Sequence, residues 1–163
     1  MKNYILLLVC LLCAKAYAQQ IKNNDCVNIF PANRILNGTT TTFTSDNING
    51  RGAINDFGTS YQNYPGCLLP QSGFVEVQSA WYAFQIKTSG TLTFTITPLG
   101  SSDFDFALFG PNKSCNALGT SIRCSFAANP TAQNVYNTGL NLSSGDVSEP
   151  ASGDGFVKYI DGV

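Results

Sequence analysis

The chain contains no histidine. Without an imidazole, neither a Ser-His-Asp nor a Cys-His apparatus can be assembled from its own residues. No GxSxG elbow, P-loop or dinucleotide fingerprint occurs either. Charge is sparse, with nine basic against ten acidic residues. That balance argues against nucleic-acid or anionic-membrane partners, which require a basic face. No apolar run approaches the ~20 residues of a membrane span. No internal repeat and no amphipathic helix of useful length is visible. The chain reads as a non-enzyme.

What is present begins with an export signal. Met1-Lys2-Asn3-Tyr4 is a short basic start, residues 5–12 are apolar, and Ala16-Tyr17-Ala18 offers small residues where a signal peptidase reads. Residues 1–18 are therefore expected to be a cleaved secretory signal. A lipoprotein signal would use Cys10 or Cys13, but Val9 and Leu12 stand where a small residue belongs. The mature chain, residues 19–163, then has about 145 residues, the size of one domain with a real core. Cleavage removes Lys2 and Lys15 and leaves seven basic against ten acidic residues. The expected location is extracellular, either secreted or attached to a cell surface.

Cys26, Cys67, Cys115 and Cys124 remain after cleavage. An even count in an exported chain implies disulfides. Three pairings are open. The preferred one is Cys26–Cys67 with Cys115–Cys124, because the second pair brackets a short loop between strands expected to be neighbours. Zinc is disfavoured, since these four show no CxxC spacing and no histidine accompanies them.

Strand signals dominate the rest. Residues 91–97 alternate apolar side chains at even positions with threonine at odd ones. Residues 80–86 place Tyr82, Phe84 and Ile86 on one face, with Trp81 on the other. Residues 39–44 read as a threonine-rich edge strand, and residues 73–78, 121–126 and 156–160 as further strands. In the last of these Phe156 and Ile160 share a face. Residues 45–64 form a long polar loop, and residues 127–150 a long polar passage in which Leu140 and Leu142 are possible anchors. The fold class expected is all-β: an antiparallel two-sheet β-sandwich, jelly-roll-like, of about seven or eight strands. Residues 80–86, 91–97 and 103–108 are expected to form a meander. The chain also ends on a fresh strand, which reads as a domain truncated before its closing strands.

Residues 101–115 are the most informative stretch. Phe104, Phe106 and Leu108 fall on one side of an extended chain, and Asp103 and Asp105 on the other. The apolar face needs a partner sheet, with Leu92, Phe94 and Ile96 as its expected company. The acidic face could serve a hard cation. Asp103, Asp105 and Asp154 are the candidate calcium ligands, since calcium takes several carboxylate and carbonyl oxygens. The competing reading is that these side chains solvate an exposed face and cap turns. No other cofactor is implied. Asn37-Gly38-Thr39 and Asn112-Lys113-Ser114 fit a glycosylation sequon, a weak and host-dependent pattern.

Asp25-Cys26, Ala80-Trp81-Tyr82-Ala83-Phe84, Gly90-Thr91-Leu92-Thr93-Phe94, residues 103–111 with their Asp-Phe-Asp-Phe core, the Cys115 and Cys124 pair, and Ser152-Gly153-Asp154-Gly155-Phe156 occur together. In combination they resemble jelly-roll modules of secreted surface proteins of gliding Bacteroidetes, which are associated with gliding motility and type IX secretion. The module is also similar to pre-peptidase C-terminal and CUB-like domains. The resemblance implies a non-catalytic β-sandwich for adhesion or ligand binding, including carbohydrate binding. The implied partners are glycans or cell-surface proteins. The alternative it implies is an accessory domain of a secreted hydrolase whose catalytic domain lies outside these residues.

Overall fold

The computed structural model describes residues 24–29, 35–44, 52–53, 56, 63–64, 66–68, 76, 78–127 and 136–163. The expected signal, most of the polar loop at 45–64 and most of the strand at 73–78 lie outside them. The protein is all-β. Its strands are β1 (Ile35–Leu36), β2 (Asn63–Tyr64), β3 (Gln85–Ile86), β4 (Phe94–Ile96), β5 (Phe106–Leu108), β6 (Gly119–Thr120), β7 (Arg123–Ser125), β8 (Thr138–Asn141), β9 (Ser148–Glu149) and β10 (Phe156–Lys158). Two single 3-10 turns, Cys26–Asn28 and Gly66–Leu68, complete the described elements.

Two three-stranded sheets, β10-β8-β4 and β5-β7-β9, make the sandwich. Its core is Phe106, Leu140 and Val157, with Leu92, Phe94, Ile96, Leu108 and Ile160 packed against them. Phe94 from one sheet meets Phe106 from the other edge-on, with ring centroids 5.2 Å apart. Burying each such side chain contributes roughly 1.5–3 kcal/mol. The alternation along 91–97 and 103–108 therefore ends where it should, with Leu92, Phe94, Ile96, Phe106 and Leu108 all turned inward. Gly139 lies against the carbonyl of Phe94 with φ +150, and a Cβ there would overlap that carbonyl. Only glycine lets β8 approach β4 at this point.

The expected meander does not form. β3 pairs with β1 in parallel, β4 with β8 antiparallel, and β5 with β7 antiparallel. The turn after β4 carries the chain into the opposite sheet instead of back along its own. Beyond β7 the chain alternates between sheets, so β9 returns parallel to β7 and β10 returns parallel to β8. Strands of two to four residues cannot hold hairpins alone. Core burial, not turn proximity, selects their neighbours.

Three smaller expectations are also corrected. Residues 39–44 are exposed and outside any strand. Their threonines supply β propensity, but the residues offer little to bury. In β10 the fully buried side chain is Val157, with Ile160 joining the core beyond the strand and Phe156 only half-buried. Of the two leucine anchors, Leu140 is 2% exposed and Leu142 is 70% exposed. Leu140 lies within β8, whereas Leu142 follows the strand's last residue, in a bend where the Asn141 Oδ1 accepts from the Ser143 and Ser144 N–H groups and the chain turns away from the core.

Candidate functional site

The acidic face of 103–108 is at the surface. Asp103 and Asp105 are both exposed, on the stretch leading into β5. Crowding by protein around its carboxyl, together with the neighbouring Asp103 charge, raises the pKa of Asp105 to about 6. Asp154 stands elsewhere. Its Oδ1 accepts from the Phe156 backbone N–H at 2.8 Å, an Asx-type turn leading into β10. Its charge, with that of Asp146, falls on Glu149, whose pKa is raised chiefly by burial. The structure thus brings Asp103 to Asp105, and Asp154 to Glu149. Among the described residues, no group of three or more His, Cys, Asp or Glu side chains is placed to hold a metal ion.

The four cysteines form two disulfides, but in a different pairing from the preferred one. Cys26 joins Cys115 and Cys67 joins Cys124, across sequence separations of 89 and 57. The reason lies in the register of β5 and β7. Cys124 sits within β7, opposite Ala107 of β5, whereas Cys115 lies beyond the end of β5 in the connection to β6. The two are not across from each other. Cys124 instead faces the turn Gly66–Leu68, and the backbone N–H of Cys67 donates to its Sγ at 2.8 Å. Taken singly, loops of these lengths stabilise by about 4 kcal/mol each in the chain-entropy model.

Around Cys26 lies a group of side chains that pattern reading does not find. Asn24, Asp25, Asp56 and Glu76 are all at least nine-tenths buried. Asp56 Oδ2 accepts from the Cys26 N–H at 2.7 Å, and Glu76 Oε2 from the Asp56 N–H at 2.7 Å. Asp25 Oδ2 accepts from the Ala53 N–H at 3.1 Å, and Asn24 Nδ2 donates to the Ser79 carbonyl at 2.8 Å. Gly52, at φ +83, lies against the Asp25 carboxyl where a Cβ would overlap it. Burial is the main cause raising the pKa of both Asp56 and Glu76. Hydrogen bonds from the Cys26 backbone to Asp56, and from Ser79 and the Asp56 backbone to Glu76, pull the other way. These carboxylates stand in for regular pairing: each caps an amide that a short, irregular segment leaves without a ladder partner. Their partners are separated by 20 to 30 residues in sequence, so nothing local announces them.

A cleft of about 300 Å³ opens beside the Cys67–Cys124 bridge, lined further by Ser121, Ile122, Arg123, Val147 and Ser148. Arg123 is held by three backbone carbonyls: Nε donates to Lys158 at 2.8 Å, Nη1 to Ile122 at 2.7 Å and Nη2 to Tyr159 at 3.1 Å. These bonds tie β7 to the end of β10 and fix the guanidinium. The buried Oγ of Ser121 has no hydrogen-bond partner. Ile122 and Val147 are 39% and 54% exposed. No histidine is available to activate the serine. The lining of the cleft offers both polar and apolar groups. No family model, curated protein or solved structure matches the chain.

Proposed function

We propose that this protein is a non-catalytic extracellular binding or adhesion module whose ligands are glycans. The carrying observation is the pair of long-range disulfides, Cys26–Cys115 and Cys67–Cys124. Such crosslinks form and persist in oxidising compartments. Here they fasten irregular segments to a small sandwich, so that loop side chains are held at fixed positions. That is what a binding surface on a β-scaffold needs. Among the described residues no helix is long and apolar enough to cross a membrane. The resemblance to jelly-roll modules of surface proteins points the same way, and export by type IX secretion belongs to the same reading. Calcium is not required by the proposal. Asp103 and Asp105 supply two neighbouring carboxylates, fewer than the six to eight oxygens calcium takes.

Probing a glycan array with the oxidised protein tests the proposal. Binding to a defined saccharide class, lost on reduction of the disulfides, is the expected result. A silent array, with no adhesion of protein-coated beads to cells, would remove it.

A further inference from the structure

We infer that Asn37 is a site of spontaneous covalent modification, where the Gly38 backbone nitrogen closes on the Asn37 side chain and converts it to isoaspartate and aspartate. The site is separate from any ligand-binding role. It lies just beyond the end of β1. Asn37, Gly38 and Thr39 follow Leu36 directly, and all three are exposed. Glycine puts no Cβ beside the attacking nitrogen, and nothing lies within 4 Å of where one would stand. Among the described residues no backbone carbonyl accepts from the Gly38 N–H, so the nitrogen is not withheld. The Thr39 hydroxyl donates to Asn37 Oδ1 at 2.7 Å. Attack at Cγ turns that oxygen into an oxyanion, and a donor already in place stabilises the charge that develops there.

The reaction balances with water as its only co-reactant. The Gly38 nitrogen forms a bond to Asn37 Cγ, its proton leaves with the side-chain amide, and the Cγ–Nδ2 bond breaks to release ammonia. The five-membered imide then takes up water at either carbonyl. Opening on one side gives aspartate, and on the other isoaspartate, in which the backbone runs through Cβ. Other asparagines lack part of the arrangement. Asn112 and Asn141 are followed by Lys113 and Leu142, whose Cβ atoms crowd the attacking nitrogen. Asn116 precedes Ala117, whose N–H is held by the Ser114 carbonyl at 2.9 Å. Extending the β1–β3 register by one residue sets position 37 across from Lys87, whose N–H donates to the Leu36 carbonyl at 2.8 Å. That bond lies upstream of the altered link, so β1 keeps its partner. The product carboxylate arises opposite the exposed Lys87, where an ion pair adds little to stability. The glycosylation acceptor of Asn37-Gly38-Thr39 is lost in the same step.

The test holds the oxidised protein, its asparagines verified as intact, at neutral pH and physiological temperature and samples it over weeks. Peptide mapping by mass spectrometry reads the exchange of ammonia for water at each asparagine. Labelling by an isoaspartate-specific methyltransferase reads the rearranged product. The map also separates Asn37 from the second Asn-Gly pair, at 49–50, which lies outside the described residues. Asn37 should convert several times faster than Asn112, Asn116 and Asn141, give isoaspartate, and convert faster still at higher pH, where the attacking nitrogen loses its proton more readily. Thr39→Val should slow the conversion roughly two- to tenfold, the scale of one neutral hydrogen bond, whereas Thr39→Ser, which keeps the hydroxyl, should retain the original rate. Gly38→Ala should remove most of the conversion over the same interval. The two Thr39 variants change an exposed residue, so their melting temperatures should stay within a few degrees of the parent. An Asn37 that stays intact, or converts no faster than Asn112, overturns the site. A Thr39→Val variant that converts at the original rate overturns the assistance by the hydroxyl.

Discussion

Two regions of this protein are held together by different physics. The sandwich of β4, β8 and β10 against β5, β7 and β9 is apolar, built on Phe106, Leu140 and Val157. The described segments at residues 24–29, 52–53, 56 and 66–68 contain little regular pairing. They are fastened by two disulfides and by buried carboxylates that accept backbone hydrogen bonds. The first region tolerates changes of surface chemistry and fails when volume is lost. The second fails when a crosslink or a charge state changes.

The contrast can be broken most forcefully at a crosslink. Replacing both Cys26 and Cys115 by alanine should cost about 4 kcal/mol, read from the denaturant midpoint. A loss under about 1 kcal/mol would mean that the polar region holds without its staple. Next comes the apolar side. Leu140→Ala should cost about 3 kcal/mol, within the 2–5 kcal/mol spread of such truncations. The matching Leu142→Ala should change stability by no more than about 0.5 kcal/mol, since Leu142 is 70% exposed. Equal costs at the two leucines would contradict the burial of one and the exposure of the other.

A smaller effect is read by pH, and it involves carboxyls of both regions. The pKa values of Asp56, Glu76, Asp105 and Glu149 are all raised, by burial first. A carboxyl whose folded pKa lies above its unfolded value binds its proton more tightly in the folded state. Its ionised form is penalised there, so stability falls as pH rises from the unfolded pKa through the folded one. For Asp105 that window runs from 3.8 to about 6. The melting temperature should accordingly be a few degrees higher near pH 5 than near pH 8. Glu76→Gln should flatten this dependence, while Leu140→Ala should lower the whole curve without changing its shape. A profile rising toward alkaline pH would refute the desolvation account.

The same division explains what the residues disclose in advance. Residues 91–97 and 103–108 carry period-two alternation, and burial follows it because one face of each has a sheet to meet. Trp81, ambiguous as a strand residue, comes to rest stacked on Phe109 at 5.9 Å between centroids. Pairing between strands was less legible. Nearness in sequence suggested a meander, whereas the chain crosses between sheets and leaves parallel neighbours that no turn signal marks. Least legible were Asp25, Asp56 and Glu76. A buried carboxylate capping a distant amide looks, in sequence, like any polar loop residue. The cleft at Arg123 is hidden for the same reason, since its walls come from residues 66–67, 121–124 and 147–148.

The account stands most directly on how the polar region is fastened. A non-reducing proteolytic digest, read by mass spectrometry, should yield one peptide pair joining Cys26 to Cys115 and another joining Cys67 to Cys124. Recovery of Cys26 with Cys67, and Cys115 with Cys124, would contradict it.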